Sequence, residues 1–249
     1  MLRFIITIIA VVFDFIFAIP VFFLIWLVGL FSEKGKGALS RGIIWFYLRV
    51  ITFLSGAKLQ VKGLDNIPTD RAVLYVGNHQ SFFDVIFTYP LMPGQVGFIA
   101  KKEFGKIPIF AQAMKLLHCR FLDRNDIKQG LKVILAAIED VKTGTSMFIF
   151  PEGTRSRDKS VADFKEGSMK IATKSGCPII PVAFSNTSGV FEDQFPKIRP
   201  VPVIIEFGKP IDPTTLDKEE TKHLGAKVRE VILEMKEVND KEVSELSQK

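Results

Sequence analysis

The sequence predicts an α/β protein: a mostly parallel central sheet covered by helices, preceded by an N-terminal two-helix membrane-associated segment. Three observations predict it. From residue 58 onward, short apolar runs of strand type alternate with stretches of helical periodicity, the pattern of a parallel sheet with both faces covered. Before residue 55 the chain is dominated by two long apolar stretches. Three polar clusters each follow directly on a predicted strand, where open α/β sheets place their ligands.

Composition limits the function classes. The 249 residues suit one sizeable domain, or one domain with an appendage. With 47% hydrophobic and 24% charged residues the chain is not disordered, and a mean hydropathy of +0.23 is high for a freely soluble protein. Cys119 and Cys177 are too few for a disulfide scaffold or a structural zinc site. A net charge of +6 suits an anionic partner: nucleic acid, an anionic membrane surface or a phosphorylated substrate. No nucleic-acid-binding motif is present and the basic residues are spread rather than massed, so nucleic acid is not expected as a partner.

The first element is the run from Phe4 to Phe31, with Asp14 as its one charge. As one straight helix it would be about 42 Å long, against roughly 30 Å of hydrocarbon core. Pro20 is expected to kink or break it. A signal peptide fits poorly, because Ser32-Glu33-Lys34-Gly35 offers no small-residue cleavage site. The second stretch, Gly42 to Leu54, has Arg41 and Arg49 on one helical edge about 80° apart, with Trp45 between them. That pattern suits a helix at a membrane surface; a buried core helix is the competing reading. Either the first segment spans, or both helices dip as a hairpin into one leaflet, which Asp14 and Pro20 favour. Lys34, Lys36 and Arg41 mark the following side as cytoplasmic.

The remaining elements follow in order. Strands are predicted at 58–62, 71–77, 96–100, 119–123, 145–150, 178–184 and 201–207 from apolar runs or alternation. Helices are predicted at 81–89, stopped by Pro90, at 108–118 with Pro108 in its first turn, and near 166–175. The best helix is 126–142, where Ile127, Leu131, Ile134, Leu135, Ile138 and Val141 share one stripe and Gly144 follows the end. A charged amphipathic helix is predicted at 216–238, with a fraying tail beyond. The expected division is residues 1–55 for the membrane-associated helices, 56–240 for the α/β unit and 241–249 for the tail.

The first polar cluster is Asn78-His79-Gln80-Ser81-Phe82-Phe83-Asp84. Two helical residues five apart point about 140° away from each other. His79 and Asp84 can therefore meet only if His79 lies in the turn and folds back. Asp84 would then hold one ring nitrogen and leave the other as a base. The competing reading is a capping box, Ser81-x-x-Asp84, closing a helix end. In the second cluster, Asp123-Arg124-Asn125-Asp126, Arg124 sits beside a helix start, unfavourable without an anion between them. An ion pair with Asp123 or Asp126 would explain it equally. The third, Phe150-Pro151-Glu152-Gly153-Thr154-Arg155-Ser156-Arg157, offers a turn whose amides can face one ligand, with two arginines suited to phosphate. An ordinary polar turn is its alternative. Lys101, after the strand at 96–100, is a further candidate for the same anion.

At these residues the chain resembles the glycerolipid acyltransferases. His79-x4-Asp84, Phe121-Leu122-Asp123-Arg124, Phe150 to Ser156 and Ile180-Pro181-Val182-Ala183 resemble four blocks of that family, in its order. The resemblance covers residues 78–183, with an apolar segment upstream as in the family. It implies transfer of a fatty acyl group from a thioester to the sn-2 hydroxyl of lysophosphatidic acid, giving phosphatidic acid. His79 would be the general base and Asp84 its orienting partner. Arg124, Glu152, Gly153, Thr154 and Arg155 would bind the glycerol phosphate. Acyl-carrier protein or acyl-CoA would donate the acyl group, with membrane lipids as the setting, without cofactor or metal. The implied location is a bacterial inner membrane, with the catalytic domain on the cytoplasmic face. A serine hydrolase would need a G-x-S-x-G, which is absent, and a non-catalytic lipid binder would not need both His79 and Asp84. His118 is expected to be packed or helix-terminal and His223 solvated.

Overall fold

The computed structural model describes residues 1–248. The chain begins with two long helices, α1 (Leu2–Gly29) and α2 (Glu33–Ser55). Both are long and apolar enough to cross a membrane by length and composition. Ser32 caps α2 by accepting from the Gly35 amide at 2.9 Å. Pro20 does not break α1, which stays helical through it. Proline forfeits one backbone hydrogen bond, and the long run of bonds on either side maintains the helix.

Seven strands follow: β1 (Lys58–Lys62), β2 (Leu74–Gly77), β3 (Val96–Lys101), β4 (Arg120–Leu122), β5 (Ser146–Ile149), β6 (Ile179–Ser185) and β7 (Pro202–Phe207). The helices among and after them are α3 (Phe83–Thr88), α4 (Pro108–Leu116), α5 (Ile127–Lys142), α6 (Lys170–Ser175), α7 (Lys218–Lys222) and α8 (Leu224–Ser247). The sheet order is β1-β7-β6-β2-β5-β3-β4. Five strands, β6 through β4 in that order, run parallel. β7 is antiparallel to β6 and parallel to β1, so these two run against the rest.

Strand residues alternate between two cores, as the two-residue period requires. Tyr75, Phe148, Ile180, Val182 and Phe184 pack on one face with Phe83 and Phe87 of α3. Leu74, Val76, Met147, Ile149 and Ile179 pack on the other, against α5, α6 and α8. Ile44, Leu48 and Ile51 of α2, and Phe4 of α1, pack against the first core. Arg41 Nη2 and Trp45 Nε1 donate to the carbonyls of Met92 and Pro90 at 2.9 and 3.1 Å. The second helix therefore covers the α/β unit as well as belonging to the hairpin.

Several expectations need correction. The helix expected at 216–238 is two helices that meet at His223. The tail does not fray beyond Val238: α8 continues to Ser247, held by buried Asn239 and Val243. Asn239 donates to Glu206, and Lys62 donates to Glu242. The stripe on α5 divides, with Ile138 and Val141 buried while Ile127, Leu131 and Leu135 are exposed. The buried side of α5 is made by Val133, Ala137, Ile138 and Val141, and the row Ile127, Leu131 and Leu135 lies off that side.

Candidate active site

The carboxyl ends of β2, β5, β3 and β4, neighbours in that order in the sheet, carry the polar clusters and Lys101. His79 follows β2 in a turn. Its Nδ1 lies 2.7 Å from Asp84 Oδ2. That oxygen also accepts from the backbone amides of Gln80 at 2.7 Å and Ser81 at 2.9 Å. An oxygen already accepting two N–H groups is an acceptor toward the ring too, so Nδ1–H donates and Nε2 retains its lone pair. Asp84 is fully buried. It reaches back to Ser81 N as a capping box requires, while Ser81 Oγ accepts from Phe83 N at 2.9 Å. One carboxylate thus holds two backbone amides of the turn and orients the imidazole, while a full capping box is not made, because Asp84 N donates to the Ser81 carbonyl rather than to Oγ. The Phe150 ring stacks on the His79 ring at 4.0 Å and 18°, which fixes the plane of the base.

The loop after β5 is tied to the same turn. Glu152 is buried, with Oε1 accepting from His79 N at 2.7 Å and Oε2 from Ala162 N at 2.9 Å. Burial pushes its carboxyl above the ordinary value, and these amide hydrogen bonds oppose that rise. Ser156 N donates to the His79 carbonyl at 2.8 Å. Gly153 closes the turn at φ 79°, in the left-handed region. A Cβ there would meet Lys165 Nζ at 3.1 Å, with Arg124 Nε at 3.9 Å.

Those two cations converge from different elements. Arg124 makes no hydrogen bond or ion pair among the described residues, and desolvation pushes its guanidinium pKa down. Asp126 caps α5 through Gln129 N at 3.0 Å, and Asp123 pairs with Lys102 at 2.5 Å. Neither aspartate therefore engages Arg124. Beside it is a cavity of about 180 Å³ lined by Lys101, Lys102, Glu103, Asp123, Arg124 and Asn125. A partly desolvated guanidinium with Glu103 near it but no carboxylate in contact, beside a cavity that Lys101 and Lys102 also line, suits an anion.

The other candidates are distributed differently. Lys101 lines the cavity but faces Glu103 at 3.5 Å. Arg155 pairs with Glu192 at 2.8 Å, and its guanidinium lies 3.9 Å over the Phe82 ring. Thr154 and Arg157 are exposed. His118 is exposed just past α4 at φ 58°, and His223 is exposed at the α7–α8 junction. Among the described residues no group of three His, Cys, Asp or Glu side chains could hold a metal ion. Sequence reading missed Lys165, Lys102 and Glu192. The first two are lysines among many, and nothing in the sequence marks an acid 111 residues from Ser81 as its partner.

A histidine whose ring nitrogen contacts a buried aspartate, at a sheet edge that also carries Arg124 and Lys101, is the arrangement of an α/β enzyme rather than of a passive fold. The profile of the Acyltransferase family matches residues 58–185. A 1-acyl-sn-glycerol-3-phosphate acyltransferase from Borreliella burgdorferi is 32% identical over 187 residues, covering 75% of this chain and 74% of that one. The chain belongs to this acyltransferase family. A chloroplastic 1-acyl-sn-glycerol-3-phosphate acyltransferase of Brassica napus is 35% identical over 148 residues, 59% of this chain. The match spans 42% of that longer relative. The crystal structure of a 1-acyl-sn-glycerophosphate acyltransferase, PlsC, from Thermotoga maritima superposes with a TM-score of 0.76 at 27% identity, covering 99% and 98% of the two chains. The α/β sheet with an apolar amino-terminal helix pair is thus a fold shared with that protein.

Proposed function

We propose that this protein transfers a fatty acyl group from an acyl thioester to the sn-2 hydroxyl of 1-acyl-glycerol-3-phosphate, giving phosphatidic acid. The observation that carries the reading is the 2.7 Å contact of His79 Nδ1 with Asp84, which leaves Nε2 free at the edge where Arg124 and Gly153 meet. The names of the bacterial and plant relatives support the acceptor.

In the proposed reaction the acceptor hydroxyl attacks the thioester carbonyl directly while His79 Nε2 takes its proton. The tetrahedral intermediate expels the thiolate, which recovers that proton from the imidazolium. Asp84 stabilises the imidazolium without itself being protonated. Arg124 and Lys165 bind the acceptor phosphate with the Gly153–Thr154 turn, and Lys101 and Arg155 flank them. Glu152 serves by holding the backbone of His79, since both its oxygens are already engaged. The donor is acyl-carrier protein or acyl-CoA; both are anionic thioesters and suit a basic rim. The hairpin α1–α2 lies in the cytoplasmic leaflet of a bacterial inner membrane, holding the α/β unit where lipid phosphates lie. Residues 1–55 and 56–240 are the corresponding working units.

Release of free thiol from each thioester, measured with and without lysophosphatidic acid, tests the reading. Release only with acceptor is expected. Release without acceptor indicates a hydrolase, and none indicates a lipid binder. A panel of lyso-acceptors and glycerol 3-phosphate, read by product mass, fixes the acceptor.

A further inference from the structure

We infer that Glu192 is a positioning residue that fixes the loop after β5 against the catalytic turn and acts through Arg155; this rests on the acyl-transfer reading above. Glu192 opens a short 3-10 turn, Glu192–Gln194, beyond β6, and both carboxylate oxygens are engaged. Oε2 accepts from Ser81 Oγ at 2.6 Å. Oε1 accepts from Phe82 N at 2.9 Å and from Arg155 Nη1 at 2.8 Å. Ser81 and Phe82 belong to the turn that presents His79, and Arg155 belongs to the loop that carries Gly153. One acid from a third segment thus joins the base to the anion-binding loop.

The loop is held on both flanks of His79. On one side it is fastened by Glu152 and by Ser156 N. On the other it is fastened by Glu192, and by Asp193, whose carboxylate pairs with Lys159 at 2.8 Å. The segment that carries these acids is itself anchored. Val190 is buried, and Phe191 stacks on Phe4 of α1 at 5.9 Å. Arg155 is therefore oriented before any acceptor arrives: its guanidinium carbon lies 3.9 Å from the Phe82 ring centroid and Nη1 donates to Glu192, leaving other donors for a phosphate. An arginine fixed in advance loses less rotamer freedom on binding, and this lowers the acceptor concentration required.

The test is a double-mutant cycle. Glu192→Gln keeps the shape, removes the charge and turns one acceptor into a donor. It should raise the KM for lysophosphatidic acid about tenfold and leave the thioester KM within about twofold. Added to Arg155→Gln it should cost no more than about a further twofold, because the effect passes through that arginine. Losses that multiply, equal changes in both KM values, or an unchanged acceptor KM would each overturn the inference. Should the Gln variant fail to fold, Glu192→Asp, which keeps the charge but shortens the reach, should give an intermediate acceptor KM at an unchanged melting temperature. An unchanged KM in that variant overturns it as well. Should the wild type transfer to no acceptor, the acyl-transfer reading fails on its own. The clamp is then read by calorimetric binding of glycerol 3-phosphate, which Glu192→Gln should weaken in the wild type but not in the Arg155→Gln background; equal weakening in both, or none, overturns it.

Discussion

Around His79, polar groups from three segments meet in hydrogen bonds of 2.6 to 2.9 Å. Helix α1 is the opposite case: Ile9, Ile16, Ile19 and Phe23 are 60%, 63%, 70% and 62% exposed, and few side chains there have anything polar to satisfy. The comparison separates two kinds of solvent. The turn that carries His79 is stable because most of these groups are buried or half-buried, which makes each hydrogen bond strong and each loss costly. The hairpin satisfies its backbone internally and exposes apolar side chains, an arrangement suited to lipid rather than water. Helix α2 joins the two regimes, one side on the first core and Phe46 and Phe53 outward.

The largest expected effect breaks the polar region at its centre. His79→Ala should lower turnover by about a hundredfold to ten-thousandfold, the usual contribution of general base catalysis, with the protein still folded but at a lowered melting temperature, because buried Asp84 loses one of its three donors. Asp84→Asn should cost both rate and stability, because the same oxygen serves the imidazole and two backbone amides. Loss of stability with intact turnover would leave only the capping role.

Removing residues 1–32 tests the hairpin from the other side. The shortened chain retains α2 over the first core but loses the Ser32 cap and the Phe4–Phe191 stack, so it should remain folded at a lowered melting temperature and act, with a raised acceptor KM, on a short-chain, water-soluble acceptor. On bilayer-embedded acceptor it should be weak, with little co-flotation on vesicles. Removing residues 1–55 instead uncovers the core surface under Ile44, Leu48 and Ile51 and should yield aggregating protein. Full activity of either truncation on vesicles would refute a positioning role for the hairpin.

Arg124→Ala comes next. It should raise the KM for lysophosphatidic acid about tenfold to a hundredfold with little change for the thioester, as loss of a charge-assisted phosphate contact does. Lys165→Ala should act in the same direction and more weakly. Equal effects on both substrates would argue against a phosphate site.

The smallest effect lies in the pH dependence of stability. Burial raises the Glu152 carboxyl in the folded state above its ordinary value of 4.5, so the folded form binds the proton more tightly than the unfolded form. Its contribution to stability is therefore fully favourable below pH 4.5 and declines as pH rises through the folded value. Denaturant midpoints of wild type and Glu152→Gln, compared across that interval, should show this decline in the wild type alone. Parallel curves would mean that Glu152 does not titrate there.

Much of this was legible in the sequence, because it depends on neighbours along the chain. The seven strands follow from apolar runs and alternation, and His79, Asp84, Arg124 and Gly153 stand in polar clusters after them, but their roles came from the resemblance to the acyltransferase blocks, since a capping box, an ion pair or a polar turn also fitted the residues. Asp84 could be paired with His79 because the partners are five residues apart and the turn allows only one way for them to meet. The shared membership of Phe150 in the third block did not reveal that its ring would stack on that histidine. Likewise the apolar stripe of α5 was visible, but which part of it is covered depended on which side of the helix packs on the second core.

Periodicity and local turn preferences act over a few residues, and the α/β class, the pair of apolar helices and the residue types at the site follow from them. Strand order is a property of the whole fold: it sets β2, β5, β3 and β4 side by side, so that clusters spread over residues 78–157 share one edge. The fold also decided that Arg155 is held by Glu192 while Arg124 is not held by either flanking aspartate. Long-range pairings of this kind depend on strand order and on which side chains the packed core leaves within reach. A charged residue carries the same formal charge wherever it stands in the chain; its partner is chosen by the fold.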